Sequence, residues 1–344
     1  MIPGAHLLVS TSLGPADLVG GGARVDNRNL FERAPELARH FDLDELEARF
    51  GVRSRQWTRG TGLDESDLAL GAVRKLLAKA GRRADELALM ITVTSTPSRT
   101  TSSLAGRVAR GLELTCPSFD LRAGGAGALL AWRAAERWLA GTRGLAVVVA
   151  AESISPWLEL NTEAPTPILF GDGAAAILLQ GDAAATGLVA FEGLTDAPGG
   201  QAFTVPAPLP PGPDSTPADF RFQDADRAYA GAMSELRIAL CARLATAHEQ
   251  AATGRGLPAA IDAFFPMAPS RASASAQAEA LDVPAECVHT CLADWGCPGA
   301  AAPLIALAGI DLTKSSSLAL AAVGGGAHGA ALTWRHSPPT QDTP

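Results

Sequence analysis

Cys287, His289 and Cys291 alternate along the chain, and Cys297 follows six residues later. Alternate residues of a strand share one face. The first three could therefore present two thiolates and an imidazole to a zinc ion, with Cys297 as a fourth ligand. The usual C-x₂-C spacing is absent, which favours small buried residues on a strand over a metal site. Cys116 and Cys241 stand alone. An odd, scattered set of five cysteines in a long, core-rich chain reads as reduced thiols, not as a disulfide framework. A thiol held near a histidine can become a thiolate and accept an acyl group. Asp172, set between Gly171 and Gly173, reads as a loop hydrogen-bonder and not as a catalytic acid.

The elements that must position these groups alternate between strand and helix. Leu87 to Thr96 and Leu145 to Ala151 are apolar runs of the kind expected for parallel strands covered on both faces. Ala69, Ala72, Val73, Leu76, Leu77 and Ala80 form a helical stripe, with Ser66 as its expected N-cap and Gly81 as its stop. Leu130, Ala134 and Trp138 recur at helical spacing, with Arg133, Glu136 and Arg137 on another side. Met233, Leu236, Leu240 and Leu244 mark a long helix. Ile261 to Phe265 marks a strand, Ala272 to Leu281 a helix, and Leu318 to Val323 and Ala330 to Trp334 the closing strands. This alternation predicts a parallel α/β sheet. Pro206 to Pro217 reads as a loop, and Pro338 to Pro344 as a disordered tail.

The 344 residues suit two similar halves better than one simple core. Hydrophobic residues at 47% against 19% charged ones predict a large interior and room for a buried subunit interface. A net charge of −8 without a Lys/Arg run argues against a nucleic-acid or anionic-membrane partner. Without a spanning apolar stretch or a signal-peptide pattern, a cytoplasmic protein is expected.

Several ordered motifs are similar to those of the β-ketoacyl-ACP synthase III group of the thiolase superfamily. Gly51-Val52-Arg53-Ser54-Arg55 resembles its G-I-R-x-R, and Thr94-Ser95-Thr96-Pro97 its T-S-T-P strand end. Phe170-Gly171-Asp172-Gly173-Ala174-Ala175-Ala176 resembles F-G-D-G-A-A-A, the most specific match. Gly324-Gly325-Gly326 resembles the Gly-rich closing loop. The resemblance covers nearly the whole chain. It implies an α/β thiolase-like five-layer αβαβα fold in two pseudo-symmetric halves, residues 1–181 and 182–337, followed by a tail at 338–344. It also implies a dimer formed through the first half.

The same resemblance implies a nucleophilic cysteine in F-D-x-x-x-x-C-x-G, a histidine in P-H-Q-A-N and an asparagine in H-G-N-x-S. The matching stretches here begin at Phe119, Pro266 and Trp295, so these positions hold Gly125, Met267 and Cys297. Glycine cannot form a thioester, and a thioether cannot shuttle a proton. Ordinary decarboxylative condensation is therefore not expected.

Three readings follow. The chain is a pseudo-ketosynthase or partner subunit that binds an acyl thioester. Or Cys297 and His328, on loops that border the family's acyl cavity, form a relocated acyltransferase site. Or transfer is non-covalent, with the helix start near Gly125 polarising a carbonyl. Arg49 and Arg53 would meet the phosphate or acidic face of a carrier protein or CoA, and Gly125, Met267 and Gly325 would line the cavity. Glu45, where relatives often carry Trp, disfavours CoA against the carrier protein. A homodimer, or a heterodimer with an active ketosynthase, is the implied assembly, with no cofactor and no metal.

Overall fold

The computed structural model describes residues 4–196 and 227–336; the Pro-rich stretch at 206–217 and the tail at 338–344 lie outside them. The first part of the chain runs β1 (Gly4–Leu13), α1 (Pro15–Val19), β2 (Arg24–Asp26), α2 (Asn27–Arg33), α3 (Leu46–Phe50), β3 (Ser54–Gln56) and α4 (Glu65–Ala80). It continues through β4 (Leu87–Val93), α5 (Leu104–Leu112), β5 (Ser118–Leu121), α6 (Gly127–Leu139), β6 (Leu145–Glu152), α7 (Thr166–Leu169) and β7 (Gly173–Asp182). Then come β8 (Gly187–Thr195), α8 (Arg227–Arg255), β9 (Ala263–Pro266), α9 (Arg271–Ala280), α10 (Leu292–Trp295), α11 (Ala302–Ala308), β10 (Ser317–Gly324) and β11 (His328–Arg335).

Two sheets share one strand grammar. The first has the order β1-β7-β6-β4-β5 and the second β8-β11-β10-β9. In the first, β1 and β6 flank β7 antiparallel, and β6, β4 and β5 are parallel. In the second, β8 and β10 flank β11 antiparallel, and β10 runs parallel to β9. A parallel bridge between Phe264 and Val288 stands where β5 stands in the first sheet.

Alternation along the strands builds the layers. On β6, Ala146, Val148 and Ala150 join the cluster between the sheets, while Leu145, Val147, Val149 and Ala151 join the cluster under α4 and α5. The central cluster also holds α6, α11 and the inner faces of β9, β10 and β11. Phe264, Ala319, Ala321 and Val323 face outward, under α8 and α9. The stack is thus helix, sheet, helix, sheet, helix, the layered α/β arrangement expected from the motifs. A fourth cluster, around Leu30, Leu46, Val52 and Trp57, is formed by the β2–β3 ribbon and its helices.

Three local expectations change. Asp64, not Ser66, caps α4: its carboxylate accepts from the backbone N–H groups of Ser66 and Asp67, and Asp67 returns a bond to the Asp64 N–H. Gly81 does end that helix, at φ +62°. On α6, the Leu130–Ala134–Trp138 stripe is the less buried face, and Trp138 is 50% exposed. The core face is Ala128, Leu129, Ala131, Trp132, Ala135 and Leu139, because α6 lies between two sheets and buries most of its circumference. The strand beginning at Leu87 ends at Val93, and Thr94–Thr96 leave the ladder to hydrogen-bond elsewhere.

Candidate active-site region

The parallel strands β4, β5 and β6 end side by side, the edge at which α/β sheets place ligands. From β5 the chain turns through Arg122–Ala126 into α6. Gly124 adopts φ +50°, and a Cβ there would run into the Gly325 carbonyl oxygen. A Cβ on Gly125 would overlap the Met267 sulfur, and would stand 2.8 Å from Met267 Cε and 3.1 Å from Gly324 Cα. The structure therefore brings Gly125, Met267 and Gly325 together, backbone against backbone, with the thioether laid over the glycine. The N-cap of α6, Ala126, offers no side chain to the first N–H groups.

Cys297 lies between α10 and α11. Its N–H donates to the Leu169 carbonyl (2.7 Å), which fixes the loop in an isolated parallel bridge with Phe170, just after α7. The side chain is 1% exposed and belongs to the same core cluster as Met267. Burial pushes its thiol up to about 11 against a smaller downward pull from the Gly299 N–H and Arg237, and the Glu152 charge adds a slight upward push. Burial also pushes the Cys291 thiol up, with Cys297 adding to the shift. Its sulfur lies 3.7 Å from the carbonyl oxygens of both Gly296 and Ala302.

His328 opens β11 opposite Gly324, and its Nδ1 lies 3.1 Å from Thr195 Oγ1 on β8. Among the described residues no hydrogen bond joins it to Cys297. His289 stacks on Phe265, with centroids 5.4 Å apart. Among the described residues no group of three or more His, Cys, Asp or Glu side chains is placed to hold a metal ion.

Two charged groups at this edge were missed in the sequence. Glu152 ends β6 and is fully buried. Its carboxylate accepts the Ser95 N–H at 3.0 and 3.1 Å, the Thr96 hydroxyl at 2.8 Å and the Ala300 N–H. Burial raises it to about 7 despite these bonds. A Cβ on Gly299 would stand 3.3 Å from Glu152 Oε1, so the Cys297 loop passes directly over this carboxylate. The available signal was a carboxylate closing an otherwise apolar run, Leu145 to Ala151. The second group is Arg237, on α8, whose charge is felt at Cys297.

Asp172 is a loop hydrogen-bonder, as expected. It accepts from the backbone N–H groups of Thr58, Ile154 and Ser155 and from the hydroxyls of Thr58 and Ser155. The arginines divide. Arg49 is exposed, with its guanidinium 5.0 Å from the Phe50 ring centroid and 5.5 Å from that of Phe41. Arg53 is exposed and ion-paired with Asp294 (3.0 Å) and Glu47 (3.6 Å). Arg55 is wholly buried and donates to the carbonyls of Val25 and Ile168 and to Asn27 Oδ1. A cleft of about 470 Å³ opens beside Gly51, between α9 and residues 283–293, with Arg271, Ala278 and Val288 in its walls.

Residues 119–197 match the family model for 3-oxoacyl-[acyl-carrier-protein (ACP)] synthase III. The chain is 31% identical over 319 residues to β-ketoacyl-[acyl-carrier-protein] synthase III 2 of Streptomyces coelicolor, covering 89% of this chain and 91% of that one. It is 36% identical over 160 residues to the Rhodospirillum rubrum synthase III, where the match spans about half of each (46% and 47%). Among solved structures, the priming β-ketosynthase of the R1128 polyketide pathway superposes with a TM-score of 0.81 at 21% identity, over 98% of both chains. The 3-oxoacyl-(acyl carrier protein) synthase III of Pseudomonas aeruginosa PAO1 superposes with a TM-score of 0.77 at 24% identity, over 97% of this chain and 98% of that one.

Proposed function

The chain belongs to the β-ketoacyl-ACP synthase III family, and we propose that within a fatty-acid or polyketide pathway it serves as a non-condensing partner subunit of an active ketosynthase. The observation that carries this reading is the state of the one thiol at the family's three catalytic positions. Gly125 has no side chain, Met267 is a thioether, and Cys297 is 1% exposed with its thiol pushed up to about 11. A nucleophilic cysteine needs the opposite environment, electropositive and partly open.

The partner role draws support from the outer edge of β5, which no described strand pairs and where Phe119 is 39% exposed, and from Trp138 on the open face of α6. In this reading the exposed Arg49 meets an acidic carrier protein. No described helix is long and apolar enough to cross a membrane.

A second reading, non-covalent acyl transfer, is favoured by one observation. Glu152 is a buried carboxyl beside the Cys297 loop, raised to about 7 by burial, and in this reading it acts as the general base. Transfer through Cys297 with His328 as base has less support, since His328 is engaged with Thr195.

The purified protein, given acyl and malonyl thioesters, is expected to yield neither β-ketoacyl product nor a covalent acyl adduct. Co-expressed with an intact synthase III of the same pathway, it is expected to co-purify as a stoichiometric complex. β-Ketoacyl product formed by the isolated chain would refute the reading, and so would failure to associate with any such synthase.

A further inference from the structure

We propose that Met267 determines what this cavity accepts: its thioether occupies the space over the α6 turn and excludes a straight-chain acyl group from Gly125. The proposal rests on the cavity being the family's acyl site, but not on the chain's having a partner. The geometry is reciprocal. A Cβ added at Gly125 would overlap the Met267 sulfur and crowd Cε at 2.8 Å, so position 125 tolerates no side chain while Met267 lies there. The backbone on the other side is equally close, with Gly324 Cα 3.1 Å from the same point. Anything placed at the turn, whether a side chain or a ligand carbon, must therefore displace Met267.

Met267 is also well held. It is 7% exposed, its N–H donates to the Ala321 carbonyl at 2.7 Å, and its carbonyl faces the buried Gln277 amide at 3.4 Å. The backbone is thus fixed at both ends and only the side chain can yield. An unbranched thioether with three rotatable bonds fills such a gap closely, yet can be trimmed without moving the main chain. The surroundings specify the excluded ligand. Ala126, Leu129, Phe265, Ala300 and Leu304 are buried in the same cluster, and the first N–H groups of α6 are held by the turn's own backbone, Gly127 by the Gly124 carbonyl and Leu129 by that of Ala126. Apolar walls of this kind suit the unbranched alkyl part of an acyl chain. With Met267 in place the walls are present and the space is not.

The test uses the full chain and a non-hydrolysable octanoyl-pantetheine ketone analogue. Wild type and the near-isosteric Met267→Leu are expected to show no saturable binding by calorimetry at millimolar probe, whereas Met267→Ala gains at least tenfold in affinity. A second measurement covers the case in which Met267→Ala folds poorly. Gly125→Ala should lower the melting temperature on the wild-type background and lower it markedly less on the Met267→Ala background. Equal binding by wild type and Met267→Ala would overturn the proposal, and so would strictly additive melting shifts. Neither result would bear on whether a partner synthase is bound.

Discussion

Glu152, at the end of β6, and Thr96, beyond the end of β4, are joined inside the protein by a 2.8 Å hydrogen bond. The same carboxylate accepts the Ser95 and Ala300 N–H groups, so one buried acid ties two strand ends of the first sheet to the loop that leads into α11. Such a group stiffens a site when its bonds are satisfied and is costly when one partner is lost.

Glu152 should make stability depend on pH. Its folded value is raised from 4.5 to about 7, so between those values the folded state holds more protons than the unfolded one. Its contribution is present in full below about 4.5, falls as pH rises through 7, and is flat above. The span corresponds to about 3 kcal/mol. Chemical denaturation across pH 5 to 8 should show this decline in wild type. Glu152→Gln, which cannot ionise, should show a shallower slope. An identical slope in both proteins would assign the effect elsewhere.

Cys297 should resist alkylation. With the thiol near 11, the thiolate at pH 7.5 is of order one part in a thousand or less. Iodoacetamide followed by peptide mass spectrometry should label Cys297 only after denaturation, and well after the half-exposed Cys116. Rapid native labelling of Cys297 would restore it as a candidate nucleophile.

Arg55→Ala should be strongly destabilising. The guanidinium is buried, lowered to about 9 by desolvation, and donates to two carbonyls and to Asn27. Truncation leaves these acceptors without a donor, at about 1–3 kcal/mol for each one left unsatisfied. A loss of about 3 kcal/mol or more by denaturant titration is expected. A loss below 1 kcal/mol would mean that the ribbon re-forms without it.

Asp294→Ala should do little to stability. It removes one partner each from Arg24 and Arg53, which keep Ser54 and Glu47, and all three side chains are about half exposed, so such pairs contribute roughly 0–1 kcal/mol. The change in melting midpoint should be within about 2 °C. A larger drop would give the pair a role in docking α10 onto β3.

The layered fold was legible because buried parallel strands such as Leu145–Ala151 are continuous apolar runs, and because glycine-framed motifs such as Gly171-Asp172-Gly173 mark their turns. The exposed face of α6 was misjudged because a helix between two sheets is apolar nearly all round, so its spacing does not say which side is least covered. The pairing of Gly125 with Met267 could be inferred as a common location, but the overlap of the thioether with the missing side chain is a matter of ångströms that no spacing encodes. Glu152 was passed over because a single acid at a strand end looks like a solvated boundary. The Thr94–Thr96 segment and the Gly299–Ala300 loop, closing over it together, make it an interior group.

The pairing of β1 with β7 bears on how the chain is made. Gly4 lies opposite Asp182 and Leu13 opposite Ala174, so β1 has its sheet neighbour encoded some 160 to 180 residues later. At usual synthesis rates that is a wait of about 10–40 s with a mostly buried strand unpaired. Such long-range closure makes for slow folding. The nascent chain is therefore expected to depend on chaperones that shield β1 until β7 has been synthesised.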